Sequence, residues 1–254
     1  MSFYLGSNAI AGDDMKSDGT NLNYGNELPS NGLLLNLSAY NYTGAGPWHD
    51  SQQNIPMQAI NGSMTKTTAA GVPCLAFDGT NYWESSAADG NKVDMTGEFT
   101  LVLVTYANTP SARRTIFEKV PNTYASYEQE LACTWETDNN ISFYTQVSSY
   151  DNGNMGVQTN AAWNLRAIKM RGDRTQAYSW LGGAWSGNVL TNRSDGMVVR
   201  AGGVRVGHGY AGTCFTGYLF SVLVYGVALN TTEMTKVHNY YSRIMNRYGA
   251  TLYN

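Results

Sequence analysis

The hydrophobic pattern is clearest near the carboxyl end of the chain, where a strand and a long helix follow one another. Between Phe215 and Tyr225 apolar residues occupy both sets of alternate positions, which is typical of a central strand covered on both faces. After a short turn, Asn230 is followed three residues later by Glu233, the spacing of a helix N-cap whose acidic partner reaches back to it. The pattern predicts a helix ending near Gly249, and we expect its apolar stripe to pack on the strand. The stripe comprises Met234, Val237, Tyr241, Ile244, Met245 and Tyr248.

Further strand patterns recur along the chain at intervals of about 8–14 residues, separated by Gly, Asn and Asp turns. They are Leu33–Ala39, Leu75–Phe77, Tyr82–Glu84, Glu98–Ala107, Thr115–Val120, Glu128–Thr134, Ile141–Val147, Leu165–Arg171, Thr175–Leu181 and Val198–Val206. Strands at this spacing with a single terminal helix predict an all-β fold. We expect a two-sheet antiparallel jelly-roll sandwich with one C-terminal α-helix.

The first thirty residues differ from the rest of the chain, since they are rich in Gly, Asn and Asp and contain few apolar residues after Ile10. Such a segment has too little apolar surface to fold alone. The sequence therefore predicts an extended N-terminal docking arm, residues 1–30, and a jelly-roll domain, residues 31–254. The apolar anchors of the arm are Phe3, Tyr4, Leu5 and Ile10. We expect these anchors to contact a partner, either another subunit of a homo-oligomer or a different protein.

Composition argues against several classes of function. Hydrophobic residues make up 43% of the chain, enough for a sizeable core, while charged residues make up 14% and the formal net charge is −3. We expect no nucleic-acid partner, because nucleic-acid surfaces need clustered Lys and Arg. No run approaches the ~20 apolar residues of a membrane span, so we expect no membrane insertion. Three widely spaced cysteines predict free thiols rather than a metal site or a disulfide framework.

Aromatic residues beside flexible, polar turns form a candidate glycan site. Rings that carry a polar group can stack on a sugar while neighbouring planar side chains bind its hydroxyls. The candidates are Tyr150, Asp151, Trp180, Trp185, His208 and Tyr210. The alternative is that Trp180 and Trp185 flank an ordinary hairpin and pack on the sheet surface.

One turn is a candidate for a calcium site. Asp89, Asn91 and Asp94 place oxygen-bearing side chains at i, i+2 and i+5, loosely like a calcium loop. The pattern lacks the Glu that closes an EF-hand loop at its twelfth position, which favours a plain turn. We therefore predict no cofactor, with calcium at this turn as the alternative.

Three segments, in this order along the chain, resemble one fold family. They are Asn31–Asn41 (NGLLLNLSAYN), Leu75–Trp83 (LAFDGTNYW) and Phe215–Gly249. These segments are similar to the opening strand, a hairpin, and the closing strand with terminal helix of concanavalin A-like (laminin-G-like) jelly rolls. Such lectin and glucanase domains also occur in tailed-phage virion proteins. The middle third of the chain contains no motif that matches.

The resemblance implies a virion structural protein: a head decoration, head fibre or tail-fibre component, docked by its arm to capsid, fibre or tail subunits. It would be located in the virion, assembled in the host cytoplasm, and would display a glycan-adhesion surface. A carbohydrate-binding module for host-surface glycans is the first alternative, and a glycoside hydrolase of the same fold is the second.

The hydrolase alternative has one pair of carboxylates in its favour. Glu128 and Glu130 are two positions apart, which predicts the same face of a strand. Residues at this spacing are separated by the order of the ~5–5.5 Å that retaining glycosidases use. Hydrolases on the resembled fold share a Glu-X-Asp-X-Glu pattern, and the sequence lacks its Asp and third acid. No nucleophile elbow, zinc motif or phosphate loop is present either. The sequence therefore predicts that the protein is not an enzyme.

Overall fold

A computed structural model of the chain describes residues 28–107, 110–121, 131–146, 150–172, 176–190, 202–209 and 213–254. The predicted arm anchors lie outside these ranges, as do Glu128, Glu130 and Tyr210. The division into docking arm and jelly-roll domain therefore stays a prediction. Within the described ranges, no helix has the length and apolar character needed to cross a membrane.

The described residues form two mostly antiparallel sheets and two helices. The strands are β1 (Leu33–Ser38), β2 (Trp48–His49), β3 (Pro56–Ile60), β4 (Thr65–Ala69), β5 (Val72–Asp78), β6 (Tyr82–Ser85), β7 (Phe99–Ala107), β8 (Arg114–Pro121), β9 (Leu131–Trp135), β10 (Asn140–Gln146), β11 (Tyr150–Val157), β12 (Ala162–Met170), β13 (Ala177–Leu181), β14 (Ala184–Asn188), β15 (Gly202–Val206), β16 (Thr216–Tyr225) and β17 (Leu252–Tyr253). The helices are α1 (Ala87–Gly90) and α2 (Thr231–Arg247), and a 3-10 turn spans Ala39–Asn41.

The first sheet has the strand order β14-β13-β12-β7-β16-β5-β4, with β1 also paired to β16 and β17 paired to β12. The second sheet has the order β11-β10-β9-β8-β15-β6-β3-β2. Buried side chains of both sheets form one hydrophobic cluster. The predicted two-sheet β-sandwich with a C-terminal helix is therefore confirmed.

Strand β16 lies at the centre of the first sheet, between β7 and β5, and is buried from Leu219 to Tyr225. On one face it is covered by α2. The ring of Tyr241 meets that of Phe220 edge-on with centroids 6.0 Å apart, and its hydroxyl lies 2.6 Å from Ser221 Oγ. The stripe predicted for this helix is buried at Met234, Val237, Tyr241, Ile244 and Met245. The helix is thus part of the core, as the sequence pattern predicted.

Directly opposed residues of the second sheet form rows that cross its strands. One row is apolar: Ala59, Trp83, Val206, Phe117, Cys133 and Phe143. The neighbouring row is mostly polar: Gln58, Glu84, Arg205, Glu118, Ala132 and Tyr144. Successive residues of a strand point to opposite faces, so this sheet has an apolar inner face and a polar outer face.

Strands β2, β3, β4, β11, β14 and β17 were not predicted from the sequence. Two of them show why. Strand β4 reads TKTTA and buries only its last residue, while β14 reads AWSGN and buries none. Both lie at the edges of the first sheet. An edge strand that buries little apolar surface carries no alternating pattern, so periodicity cannot reveal it.

The contribution of the N-cap residue Asn230 to the stability of α2 can be tested by mutation. The Asn230 side chain accepts from the Glu233 amide at 3.0 Å, and the Glu233 carboxylate accepts from the Asn230 amide at 2.9 Å. We expect Asn230→Ala to lower the free energy of unfolding by about 1 kcal/mol, since it leaves a helix-terminal amide without its acceptor. Urea unfolding measures this loss. Asn246→Ala, at an exposed position in the last turn, is the control and should change stability little; equal losses would contradict the capping role.

Candidate functional site

The ends of four strands meet at one rim of the sandwich and enclose a cleft of about 420 Å³. Strand β5 ends there and β16 begins there in the first sheet, while β7 ends and β8 of the second sheet begins. We call it the rim cleft. Its main side chains are Asp78, Tyr106, Ser111, Arg114, Thr216 and Tyr218. The volume lies within the range typical of small-molecule sites.

Two tyrosines form the aromatic wall of the rim cleft. Tyr106 and Tyr218 are cross-strand partners, and their ring centroids lie 6.0 Å apart. Trp163 stands next in the same row, with its centroid 5.4 Å from that of Tyr106. Trp163 is buried, whereas both tyrosines are only partly buried. The row therefore leaves the core at the rim, where two aromatic rings become accessible.

A tight turn fixes Asp78 at the second wall. Asp78 Oδ1 accepts from the Thr80 amide and hydroxyl, both at 2.8 Å, and from the Asn81 amide at 3.0 Å. These donors lower the pKa of Asp78, with the Thr80 hydroxyl as the largest cause. Gly79 has φ +89°, and a Cβ there would come within 2.8 Å of Thr216 Oγ1. A glycine is therefore needed both for the turn and for its close approach to β16.

Arg114 contributes the positive charge of the rim cleft. It is partly buried, and its one hydrogen bond to a described residue is a long contact of 3.5 Å from Nη1 to the Cys214 carbonyl. Among the described residues no carboxylate lies within ion-pair distance of it. A guanidinium has five N–H donors, so most of the donor capacity of Arg114 is unused by the described part of the chain.

A second groove, of about 460 Å³, lies on the outer face of the second sheet. We call it the network groove because its polar groups bind one another. Glu136 accepts from Tyr144 at 2.9 Å and from Arg113 at 3.0 Å, and the Arg113 guanidinium covers the Tyr144 ring at 4.5 Å. Asp138 accepts from the Asn140 side chain at 2.7 Å. In the network groove, Arg113 covers the Tyr144 ring, and the Glu136 and Asp138 carboxylates already accept hydrogen bonds from neighbouring side chains. The rim cleft is therefore the better ligand site.

The candidates that the structure describes lie on two different sheets. Trp180 and Trp185 are cross-strand partners in the first sheet, with centroids 5.3 Å apart and edge to face. Trp180 is 1% exposed, and the Lys169 ammonium lies 4.4 Å from the Trp185 ring centroid. Trp180 belongs to the hydrophobic core and Trp185 packs against that core, so the two rings contact each other and the protein interior. A glycan site at this hairpin stays a prediction. Tyr150 and Asp151 lie in edge strand β11 of the second sheet, and Tyr210 falls outside the described residues.

His208 lies just after β15 of the second sheet, away from the tryptophan pair. Its ring stacks on Tyr82 with centroids 4.3 Å apart, and its Nδ1 is buried without a hydrogen-bond partner among the described residues. Burial lowers the pKa of His208, and the nearby charge of Arg205 lowers it further. The imidazole is therefore held neutral against the polar face of its sheet.

The calcium candidates occupy a capped helical turn. Asp89 lies in α1 and accepts from Ser86 at 2.8 Å and from Lys92 at 2.7 Å, so its carboxylate is already engaged. Asp94 accepts from the Thr96 amide at 2.8 Å. Within the described ranges, no three His, Cys, Asp or Glu side chains come close enough together to hold a metal ion.

The sequence analysis missed Tyr106 and Tyr218. Both stand in strands whose apolar neighbours made them look like ordinary core residues. Their pairing depends on the register between β7 and β16, and these strands are more than a hundred residues apart in the chain. Polar residues near each tyrosine could have indicated that it lies at a strand end: Ser111 and Arg114 follow Tyr106, and Thr216 precedes Tyr218.

No protein-family model matches the sequence, and no curated protein matches it. Solved structures do match the fold. A Trypanosoma rangeli sialidase in complex with sialic acid is similar with a TM-score of 0.63 and 16% identity, over 85% of this chain and 34% of the sialidase chain. Domain 4 of an extracellular arabinanase of glycoside hydrolase family 43 from Geobacillus stearothermophilus, in complex with arabinotriose, is similar with a TM-score of 0.60 and 16% identity. That match covers 81% of this chain and 97% of the domain.

These similarities confirm a jelly-roll β-sandwich, and identities this low show the fold alone. This chain spans about a third of the sialidase and nearly all of the arabinanase domain.

The similar structures also correct the prediction that the protein is not an enzyme. That exclusion was wrong, because solved chains with this fold include parts of glycoside hydrolases. Missing sequence motifs are poor evidence here, since a sheet can bring together carboxylates that are distant in the chain. Neither of these two structures supports a phage origin.

The partly buried His208 gives the stability of the chain a pH dependence. A histidine whose pKa is lower in the folded chain than its ~6.5 in the unfolded chain takes up its proton first in the unfolded state. Acidification from about pH 7.5 to about pH 5.5 should therefore lower the free energy of unfolding. We expect His208→Gln to lose less stability over this range than the wild-type chain. Urea unfolding at several pH values measures both slopes, and parallel slopes would show that His208 does not contribute.

Proposed function

We propose that this β-sandwich binds carbohydrate in the rim cleft. The observation that carries the proposal is the pair of accessible rings, Tyr106 and Tyr218, set beside the Asp78 carboxylate and the Arg114 guanidinium. A sugar presents an apolar C–H face and a rim of hydroxyls. Recognition of a sugar therefore needs an aromatic surface together with planar hydrogen-bonding groups, and the rim cleft contains both.

The aromatic wall is preorganised for stacking. Tyr106 is held between Tyr218 and the buried Trp163, so neither tyrosine ring needs to be ordered when a ligand arrives. Tyrosine also loses little conformational entropy on binding because only two side-chain torsions must be fixed. Binding energy from stacking is thus offset only slightly by the cost of ordering the wall.

The polar groups of the cleft suit hydroxyl recognition. Asp78 is held ionised by donors from its own turn, which all converge on Oδ1. The remaining acceptor positions of this carboxylate can receive sugar hydroxyls, and hydrogen bonds to a charged acceptor are stronger than neutral ones. Ser111 and Thr216 add exposed hydroxyls at the edge of the cleft.

The similar structures add support of a weaker kind. Domain 4 of the arabinanase is in complex with arabinotriose, and this chain matches nearly the whole of that domain. The sialidase is in complex with sialic acid, although this chain matches only part of its length. In both structures a sugar is bound to a protein that contains this fold. This favours a carbohydrate-binding module over an inert scaffold for the present chain.

Display of this site on a virion remains a proposal based on the resemblance of the three sequence segments. In that setting, residues 1–30 would dock the sandwich to capsid, fibre or tail subunits as a homo-oligomer, and the rim cleft would contact host-surface glycans. Besides that resemblance, the support for the particle role is the polar composition of the arm.

The aromatic wall can be tested by truncation. We expect Tyr218→Ala to weaken binding to whichever glycans the wild-type protein retains on a broad glycan array. The loss should be roughly three- to tenfold, because aromatic stacking contributes about 0.5–1.5 kcal/mol. Calorimetry on the best array ligand measures it.

Tyr144→Ala in the network groove is the control, since it also removes a tyrosine that lines a groove. The control should bind as the wild-type protein does, although it should melt at a lower temperature, because Tyr144 is buried and bonds Glu136. Tyr218→Ala should lower the melting temperature less, since Tyr218 is only partly buried. Loss of binding in Tyr144→Ala but not in Tyr218→Ala would move the site to the network groove. An array without any bound glycan would end the carbohydrate proposal.

A further inference from the structure

We infer that the rim cleft selects an acidic sugar, whose carboxylate pairs with Arg114. This inference rests on the proposed carbohydrate site and narrows its ligand to sugars that carry a carboxylate, such as uronic or sialic acids. The inference rests on the Arg114 guanidinium, which lies at the wall of a cleft large enough for a ligand. This guanidinium forms no ion pair with any described residue.

Two other arginines in the structure bind carboxylates and thus differ from Arg114. Arg113, the preceding residue, bonds Glu136 at 3.0 Å and the Tyr144 hydroxyl at 3.1 Å. Arg205 bonds Glu84 at 2.7 Å. Arg114 is partly buried, like Arg205, yet its one hydrogen bond to a described residue is to the Cys214 carbonyl, at 3.5 Å. A partly buried guanidinium is stabilised by an anionic acceptor, and its planar fork fits a carboxylate with two parallel hydrogen bonds.

The one carboxylate in the rim cleft does not fill this role. Asp78 lies opposite Thr216 in the sheet, while Arg114 contacts Cys214, two residues earlier in the chain. No ion pair joins the two side chains, because the Asp78 carboxylate is turned into its own Thr80 and Asn81 donors. The cleft therefore presents separate positive and negative groups along the segment that leads into β16.

Two separate charges of opposite sign match an acidic sugar better than a neutral one. The sugar carboxylate pairs with Arg114, its hydroxyls donate to Asp78, and its ring stacks on the tyrosine wall. A neutral sugar would satisfy Asp78 and the tyrosines but would leave the guanidinium without an anionic partner. A simple anion would satisfy Arg114 alone and would gain nothing from the aromatic wall.

The test compares matched acidic and neutral probes on the full chain by calorimetry. The probes are methyl glucuronide against methyl glucoside, and sialyllactose against lactose, with a sulfated galactose as a third anion. We expect each carboxylated probe to bind about tenfold or more tightly than its neutral partner, since hydrogen bonds to charged groups are the strong ones. The preference should shrink as salt is raised, because the pair is only partly buried.

Arg114→Gln should remove the preference for the carboxylated probe while neutral binding stays near the wild-type level, and Arg114→Lys should restore part of it. Arg113→Gln is the matched control: it removes the neighbouring arginine, which pairs with Glu136, and should leave the preference intact. Equal binding of acidic and neutral probes, or binding of the sulfated probe alone, would overturn the inference. If Tyr218→Ala still weakens binding of the neutral probes in that case, the carbohydrate site stands; if no probe binds, the proposed function fails as well.

Discussion

Strand β16 is buried on both faces along most of its length, and the rest of the sandwich is built to satisfy that condition. A strand with two apolar faces cannot border water, so it needs a partner sheet on one side and a further cover on the other. The inner faces of the two sheets supply the first. Helix α2 supplies the second, through contacts such as Tyr241 with Phe220 and Ser221. The position of α2 directly after β16 in the chain makes this cover local and easy to form.

The same strand determines where a ligand can bind. Burial of β16 begins at Leu219, so Tyr218 and Thr216 stand at the point where the strand emerges from its cover. The row of rings that is buried at Trp163 becomes accessible at Tyr106 and Tyr218. Because these rings rest on a packed sheet, they are rigid, while the connections at the rim bring polar groups beside them. A rigid aromatic wall next to charged side chains is what distinguishes the rim cleft from the network groove, where Arg113 already covers the tyrosine.

Sequence reasoning recovered the parts of the fold that carry strong periodicity. The two-faced strand Thr216–Tyr225, the capped helix Thr231–Arg247 and the long strand Phe99–Ala107 all follow from apolar spacing and one capping pair. It failed for edge strands such as β4, whose sequence TKTTA has no face to bury. The candidate site was harder, since Tyr106 and Tyr218 meet only through cross-strand register. Trp180 and His208 looked alike in sequence as aromatic residues near glycines, yet they lie on different sheets.

The central claim is that the rim cleft is a carbohydrate site, and a crystal structure of the protein with a bound glycan tests it most directly. The crystals would be soaked with the tightest ligand found by array screening. The account predicts that a sugar ring lies against Tyr218 and Tyr106, with its hydroxyls within hydrogen-bond distance of Asp78. A sugar bound in the network groove beside Glu136, or on the tryptophan hairpin beside Trp185, with the rim cleft occupied only by water, would contradict it.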